Sequence, residues 1–381
     1  MFSGVEVDLK SYFSVLWKFG ICHSTYAVYG TPMSLFNFFI IRFCSSDTFQ
    51  YLCKMNFTQA VLDWFAINGR DLPWRKSSDP YTIWLSEVIL QQTRIVQGQA
   101  YWERFIARWK TVDELANATE DEVLREWQGL GYYSRARNLY KAAKQVVTMG
   151  SFPKTFEELK RLKGVGDYTA AAIASFAFNE PVAVVDGNVF RVLSRYFGIE
   201  TPIDSARGKK DFKVMAQECL ARDCPAEYNQ AIMDFGALQC TPVSPDCNVC
   251  PLVETCYAHA HHAIDKFPVK SKKIVQRERK LVYVYIRYND STVIHRRGAG
   301  DIWQGLWEFP TSEALDFPFS ELRLIKRGIK HPLTHQIIFA DFYLWEPFCR
   351  PNLPSGYKWV KEDELGNYAF PKLLQLLANS L

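Results

Sequence analysis

The chain has 381 residues, of which 48% are hydrophobic and 23% are charged, so it can bury a large core and its length predicts two domains. Its formal net charge of +4 is mildly basic, which is compatible with a polyanionic partner but is weak support for one. Four of its ten cysteines are clustered and the others are scattered, which excludes the dense cysteine pattern of a small disulfide-stapled domain.

The first 54 residues differ in character from the rest of the chain. An apolar run of about a dozen positions, MSLFNFFIIRFC, is broken by Asn37 and Arg42. It is shorter than the roughly 20 apolar residues that a membrane span needs, and it lies too far from the start for a signal peptide. We interpret residues 1–54 as an N-terminal extension or a start-site artefact, because Met55 directly precedes a segment that begins like a domain.

Residues 55–257 show a helical pattern throughout. Two capping-box spacings predict helix starts, Thr119 with Glu122 and Thr155 with Glu158. On a helix, Glu87 has apolar neighbours, which should raise its pKa toward that of a general acid at neutral pH. A glutamate at the edge of a buried face is the alternative interpretation.

Two further segments combine a turn with a carboxylate. In LKGVGDYTAAA, Gly164 and Gly166 permit a tight turn whose amides, from Val165 to Asp167, would face a phosphate at a helix N-terminus. An ordinary helix–helix turn has the same pattern. Asp186 follows an apolar run and precedes GNVFRV; it is predicted either to cap a helix or to face a cleft. Two carboxylates in one cleft suit glycosidic chemistry.

Four cysteines follow in the spacing C-x6-C-x2-C-x5-C, at Cys240, Cys247, Cys250 and Cys256. Four soft thiolates on a compact loop favour an iron–sulfur cluster, and the spacing leaves zinc or disulfides open.

The remaining segments predict a linker and a second domain. Residues 258–280 are basic and show neither a helical nor a strand period. In residues 281–381 the apolar period changes to two, with a hairpin predicted at Asn289–Asp290, and a helical pattern returns at the end. We therefore predict a multidomain protein, with an all-α domain followed by a smaller α+β domain.

From about Phe57 to the C-terminus, these motifs together resemble one family. LPWR, WLSEVILQQT, GLGYYSRARNL, LKGVGDYTAAAIASFAF, VDGNVFRV and the cysteine loop occur in this order. The chain is similar to the A/G-specific adenine DNA glycosylases of the MutY family, within the helix-hairpin-helix superfamily. The resemblance implies a helix-hairpin-helix glycosylase domain with an iron–sulfur loop, followed by a Nudix-like domain that reads 8-oxoguanine. The resemblance also implies that the four cysteines hold a 4Fe-4S cluster, with Lys209 and Lys210 nearby.

The resemblance also implies catalytic roles. Glu87 would protonate adenine N7 and Asp186 would stabilise the oxocarbenium ion, with Tyr168 and Asn188 close to them in the same pocket. Lyase members of the superfamily carry a nucleophilic lysine where Tyr168 stands, so we expect a monofunctional glycosylase. Lys163 replaces the usual proline of the hairpin, which should cost only some turn rigidity.

Contacts with DNA are implied for a further set of residues. Trp74, Arg75 and Gln230 resemble the adenine pocket, and Gly164 and Gly166 form the hairpin turn. Gln91, Gln92 and Tyr132 resemble residues that enter the duplex, while Thr334 and His335 stand in the 8-oxoguanine loop, which here lacks the family's aromatic residue.

The partner implied is double-stranded DNA with an adenine:8-oxoguanine or adenine:guanine mispair. We expect a monomer with no membrane contact that, in a bacterial host, is cytoplasmic and associates with the nucleoid. An endonuclease III-like glycosylase/lyase and a non-catalytic DNA-binding protein with a metal loop are the alternatives. Tyr168 disfavours the first, and the pairing of Glu87 with Asp186 disfavours the second.

Overall fold

The structure is a computed structural model that describes residues 47–271, 275–314, 317–378 and 381. Most of the predicted N-terminal extension, residues 1–46, and part of the predicted linker, residues 272–274, lie outside the described residues. Backbone contacts group the chain into two compact units, Met1–Asn56 and Phe57–Leu381. Within the described ranges, no helix is long and apolar enough to cross a membrane.

Helices form the part of the chain that ends near Ala260. They are α1 (Asp47–Asn68), α2 (Pro80–Leu90), α3 (Ile95–Arg108), α4 (Val112–Asn117), α5 (Glu120–Glu126), α6 (Ser134–Met149), α7 (Phe156–Leu159), α8 (Asp167–Phe178), α9 (Gly187–Phe197), α10 (Ala206–Glu218), α11 (Pro225–Asp234) and α12 (Tyr257–Ala260). A 3-10 turn, Pro73–Lys76, precedes α2, and a π-helical turn, Phe235–Gln239, follows α11. Both predicted capping boxes are present, at the starts of α5 and α7.

Two clusters of buried side chains organise these helices. One is built around α2, α3, α6 and α8 and includes the fully buried Trp84 and Trp127. The other lies around α9, α10 and α11, where Phe57 of α1 packs against Tyr196 with ring centroids 4.7 Å apart. Met233 of α11 packs against both clusters, so the end of α11 lies beside the helices of the first one.

The C-terminal domain is built on a mixed sheet. Its strands are β1 (Arg277–Tyr288), β2 (Ser291–Arg296), β3 (Trp307–Glu308), β4 (Arg323–Pro332), β5 (Gln336–Trp345) and β6 (Tyr357–Lys361), and helix α13 (Lys372–Ala378) follows them. The order is β3-β2-β1-β5-β4, with β6 paired to β2. The predicted hairpin is present, because β1 and β2 pair antiparallel with Tyr288 opposite Ser291. The multidomain prediction, an all-α domain followed by an α+β domain, is confirmed.

Strand β1 begins earlier than the sequence pattern indicated. Arg277 to Lys280, which we placed in the linker, pair in parallel with Gln336 to Phe339 of β5. These residues are charged and mostly exposed, so they lack the alternation of apolar and polar side chains that predicts a strand. Backbone pairing with β5 defines this part of the strand. Just before it, Ala258, Ala263 and Phe267 form a small buried cluster, so the start of the linker is also structured.

The segment Asp301–Leu306 joins the C-terminal domain to the helical one. Leu306 is fully buried in the cluster formed by α2, α3, α6 and α8. Arg137 of α6 donates to the carbonyl oxygen of Gln304, and Arg296 lies 2.9 Å from Asp121. The two domains therefore share a contact in the core as well as several polar contacts.

This contact generates a stability prediction. Leu306→Ala should lower the free energy of unfolding by about 2–5 kcal/mol, because it leaves a cavity in the helical core. The matched control is Leu324→Ala on the outer strand β4, where the side chain is 43% exposed; it should cost much less. Urea unfolding followed by tryptophan fluorescence measures both changes. Equal losses for the two variants would contradict the shared core.

Candidate active site

A cavity of about 920 Å³ opens between α2, α8, α9 and α11. It collects seven of the residues predicted from the sequence: Trp74, Arg75, Glu87, Tyr168, Asp186, Asn188 and Gln230. These residues come from five separate segments of the chain, so only the fold brings them together.

Glu87 is the buried carboxyl group of this cavity. It lies near the end of α2, is 8% exposed, and accepts a 2.6 Å hydrogen bond from Tyr168 Oη of α8. Burial raises the pKa of Glu87 to about 7, and Asp186 adds to this, while the Tyr168 hydrogen bond and the Arg75 charge oppose it. Glu87 can therefore hold a proton near neutral pH, as a general acid must.

Asp186 caps helix α9 and also lines the cavity. The two alternatives that the sequence left open, a helix cap and a residue facing a cleft, therefore apply at the same time. Its Oδ1 accepts from the backbone N–H groups of Asn188 and Val189, at 2.9 and 2.8 Å, and its Oδ2 accepts from Asn188 Nδ2 at 2.8 Å. Burial raises the pKa of Asp186, but these hydrogen bonds oppose the shift because they stabilise the anion. The two environments therefore differ: Glu87 can hold a proton near neutral pH, whereas the hydrogen-bond partners of Asp186 favour its ionised form.

Arg191 of α9 is hydrogen-bonded to Asn188, and it was not predicted as a site residue from the sequence. Its guanidinium donates to Asn188 Oδ1 at 2.8 Å and to the carbonyl oxygens of Cys240 at 2.8 Å and Gly236 at 2.5 Å. Arg191 is 8% exposed, and burial lowers its pKa. Its burial and its backbone partners come from distant segments, so the sequence offered no clear signal for it.

A second cavity, of about 560 Å³, lies where the two domains meet. Tyr132, Thr334 and His335 line it together with Arg137 and Trp303. Thr334 and His335 stand in the turn between β4 and β5, closed by a 2.8 Å bond from Leu333 N–H to Gln336 O. Tyr132 Oη and Thr334 Oγ1 are hydrogen-bonded across the domains. Sequence reasoning did not identify Arg137 or Trp303 as lining residues.

Gln91 and Gln92 follow α2 and lie outside both cavities. Gln91 Nε2 donates to Thr169 Oγ1 at 3.1 Å. Gln92 and Tyr132 have positive φ values of 55° and 47°, a conformation that costs free energy for residues with a side chain and is enriched at functional sites.

The glycine turn differs in one respect from the prediction. Gly164 has φ of 79°, and a Cβ there would lie 2.5 Å from Asn138 Cβ, so glycine is required. Gly166 caps α8 in an extended conformation. Val165, however, donates its N–H to Leu162 O at 3.1 Å and its side chain is buried. Its amide therefore closes the turn instead of facing a phosphate.

The four clustered cysteines line one small cavity behind α9 and α11, with Arg195 beside them. Arg195 Nη1 lies 3.4 Å from Cys240 Sγ. Burial raises the pKa of the Cys250 thiol to about 11, and the other three cysteines add to the shift. In the part of the chain that the structure covers, no three His, Cys, Asp or Glu side chains converge closely enough for a single metal ion. Lys209 and Lys210 lie on α10 and are not among the residues that line this cavity.

Comparisons with known proteins agree with this geometry. The family profile described as HhH-GPD superfamily base excision DNA repair protein matches residues 85–217, and a NUDIX domain profile matches residues 282–379. An adenine DNA glycosylase from Buchnera aphidicola (subspecies Schizaphis graminum) is 37% identical over 302 residues, which cover 78% of this chain and 86% of that protein.

Two further comparisons cover less of the chain. The adenine DNA glycosylase of Rattus norvegicus is 42% identical over 214 residues, covering 53% of this chain and 42% of that protein. The structure of a thermostable thymine-DNA glycosylase superposes with a TM-score of 0.52 at 27% identity, covering 55% of this chain and 97% of the other. The match to the first relative is longer than the helical domain alone, and the resemblance drawn from the motifs is confirmed: the chain belongs to the adenine DNA glycosylase family.

Proposed function

We propose that this enzyme removes adenine mispaired with 8-oxoguanine or guanine in double-stranded DNA, by hydrolysis that leaves an abasic site. The observation that carries the proposal is the pair of carboxyl groups, the buried Glu87 and the half-buried Asp186, which line one cavity but have different hydrogen-bond partners. Such a cavity can receive a base only after it leaves the helical stack, at a cost of a few kcal/mol.

Hydrolysis requires that the leaving purine be made a better leaving group. Glu87 gives its proton to adenine N7, and the N-glycosidic bond then breaks with its electron pair going to the base. Tyr168 Oη, 2.6 Å from Glu87 Oε2, orients the carboxyl group. Burial makes this proton available near neutral pH, because the ionised form of Glu87 is poorly solvated.

The sugar left behind carries positive charge, which Asp186 stabilises as a fixed anion. Asn188 and the start of α9 hold its oxygens in place. Water adds to the sugar carbon and gives a proton to the Glu87 carboxylate, which restores the acid and yields the abasic site. Tyr168 carries no amine, so it forms no Schiff base with that product, and the DNA strand stays intact until alkali is added.

Glu87→Gln tests the acid. It should retain binding to the mismatched duplex but lose about 10²–10⁴-fold in single-turnover rate, because an amide cannot donate the required proton. For the wild-type protein, the rate should fall as pH rises through about 7, since the protonated fraction of Glu87 falls there. Glu103→Gln, on the surface of α3, is the control. The measurement is adenine release from a duplex with adenine opposite 8-oxoguanine, with alkali to reveal abasic sites. A near wild-type rate for Glu87→Gln would contradict the assignment.

The inter-domain cavity supports a role in reading the base opposite adenine. An 8-oxoguanine has an N–H donor at N7 where guanine has an acceptor, so a hydroxyl such as that of Thr334 can tell them apart by accepting from it. His335 lines the same cavity. Tyr132 lies beside them and is 45% exposed, and an aromatic ring of this kind can stack on a base.

Replacing Thr334 and His335 together by alanine should slow adenine removal opposite 8-oxoguanine more than opposite guanine. The measurement is the ratio of the two rates at low enzyme concentration. Ser291→Ala, at the β1–β2 hairpin, is the control and should leave the ratio unchanged. An unchanged ratio in the double variant, or only a lower Tm, would mean that the turn merely ends its strand.

We also propose that the four cysteines bind a 4Fe-4S cluster. Four thiolates are the ligand set of such a cluster, and all four line one cavity in this fold. Burial, and then the neighbouring cysteines, raise the pKa of the Cys247, Cys250 and Cys256 thiols, so a positively charged group such as iron would favour their ionisation. A bound cluster would cross-link the cysteine loop and add charge to it. The proton needed in the reaction comes from Glu87 and not from the cluster.

Cluster binding is tested by absorption and metal analysis of anaerobically purified protein. A broad visible absorption band and about four irons per chain are expected. Cys250→Ser should lower the iron content and the Tm, while Cys349→Ser, at an exposed cysteine of the C-terminal domain, should change neither. Zinc without iron in the wild-type protein would contradict the proposal.

A further inference from the structure

Asp234 is a fully buried carboxylate that sequence reasoning did not identify. It is the last residue of α11, directly before the π-helical turn, and its side chain is completely inaccessible to solvent. Burial alone would raise the pKa of Asp234, but hydrogen bonds from Arg75 and Arg70 outweigh it and lower the pKa to about 2. Asp234 is therefore an anion at any pH at which the enzyme works.

Two arginines share this anion. Arg75 donates through Nη1 to Asp234 Oδ2 and through Nη2 to Oδ1, both at 2.8 Å. Arg70 donates its backbone N–H to Oδ2 and its Nε to Oδ1, both at 2.9 Å, and its Nη2 also contacts Oδ1. The pair with Arg75 is bidentate, a geometry that fixes the plane of the guanidinium as well as its position.

Arg75 is held on its other sides as well. Its Nη1 donates to Arg70 O at 3.0 Å, and its guanidinium carbon lies 5.6 Å from the ring centre of Phe65. Arg75 and Arg70 nevertheless line the cavity that contains Glu87. The side chain of Arg75 is 14% exposed, so its remaining accessible surface faces that cavity.

The charges that act on Glu87 come from every side of the cavity. Tyr168 of α8 donates to it, Asp186 before α9 repels its anion, and Arg75 before α2 attracts that anion. Arg70 and Arg94 line the same cavity. Asp234 compensates the charge of Arg75 and Arg70 from behind the cavity wall. Two cations without this anion would favour the ionised form of Glu87, which cannot donate a proton.

We propose that Asp234 is a positioning residue for adenine removal: it fixes the Arg75 guanidinium in the wall of the base-binding cavity and offsets its charge at Glu87. This inference rests on the proposed function, since it assigns Glu87 the role of acid. A purely structural ion pair is the alternative, and it predicts a lower Tm for Asp234 variants without any change in how the rate depends on pH.

The test follows the pH at which the single-turnover rate falls to half, in Asp234→Asn and Arg75→Gln. Asp234→Asn leaves the cations uncompensated, so this midpoint should move down by roughly half a unit to one unit. Arg75→Gln removes a cation, so the midpoint should move up. Asp234→Glu keeps the charge and should keep the wild-type midpoint. The matched control is Asp71→Asn, at a 79% exposed carboxylate that pairs with Lys76 at 2.9 Å; solvent screening should leave its midpoint unchanged.

Opposite shifts in Asp234→Asn and Arg75→Gln support the proposal, because general damage to the fold cannot produce them. Identical midpoints in wild type and Asp234→Asn, or shifts in the same direction, overturn it. If Asp234→Asn does not fold, Arg75→Lys decides: it keeps the charge but not the bidentate geometry, and we expect an at least tenfold lower rate. A wild-type rate in Arg75→Lys overturns the proposal. A wild-type protein that releases no adenine would instead contradict the proposed function itself.

Discussion

The hydrogen bond from Tyr168 to Glu87 joins the two helices on which the cavity depends. Helix α2 carries Glu87 into an apolar core, where an unpartnered carboxyl group is expensive. Helix α8 supplies the partner because the turn at Gly164 and Gly166 starts that helix so that its second residue, Tyr168, points at α2. The same bond that makes burial of the acid tolerable also orients its proton.

Three carboxyl groups in and behind this cavity have three different kinds of hydrogen-bond partner. Glu87 has a hydroxyl partner and its pKa rises. Asp186 has backbone and amide partners, which favour its anion against the effect of burial. Asp234 has two guanidinium partners and its pKa falls. Three carboxyl groups of similar intrinsic acidity thus acquire different acidities from burial and from the hydrogen bonds that oppose it, and this separation allows one site to hold both a proton donor and a fixed anion.

Sequence reasoning was strongest where one short segment determines the structure. The capping boxes at Thr119 and Thr155 and the hairpin at Asn289 depend on neighbouring residues, so their patterns predicted them. Placing Glu87 and Asp186 in one pocket required the family resemblance, since 98 residues lie between them in the chain. Arg191 and Asp234 escaped notice because their partners are backbone carbonyls or arginines from distant segments. The start of β1 was missed because its first residues are charged and only pairing with β5 defines them.

The junction of the domains connects the surroundings of the two cavities through one buried cluster. Leu306 of the C-terminal domain is buried in the same cluster as Trp84 and Leu85, the neighbours of Glu87 on α2. Tyr132, which reaches the turn of Thr334, is followed directly by α6, and Arg135 of that helix donates to the carbonyl oxygens of Val88, Ile89 and Gln91 at the end of α2. A shift of the β4–β5 turn is therefore resisted by packing that also holds Glu87. A close-packed core deforms little, so this packing resists a change in the separation of the two cavities.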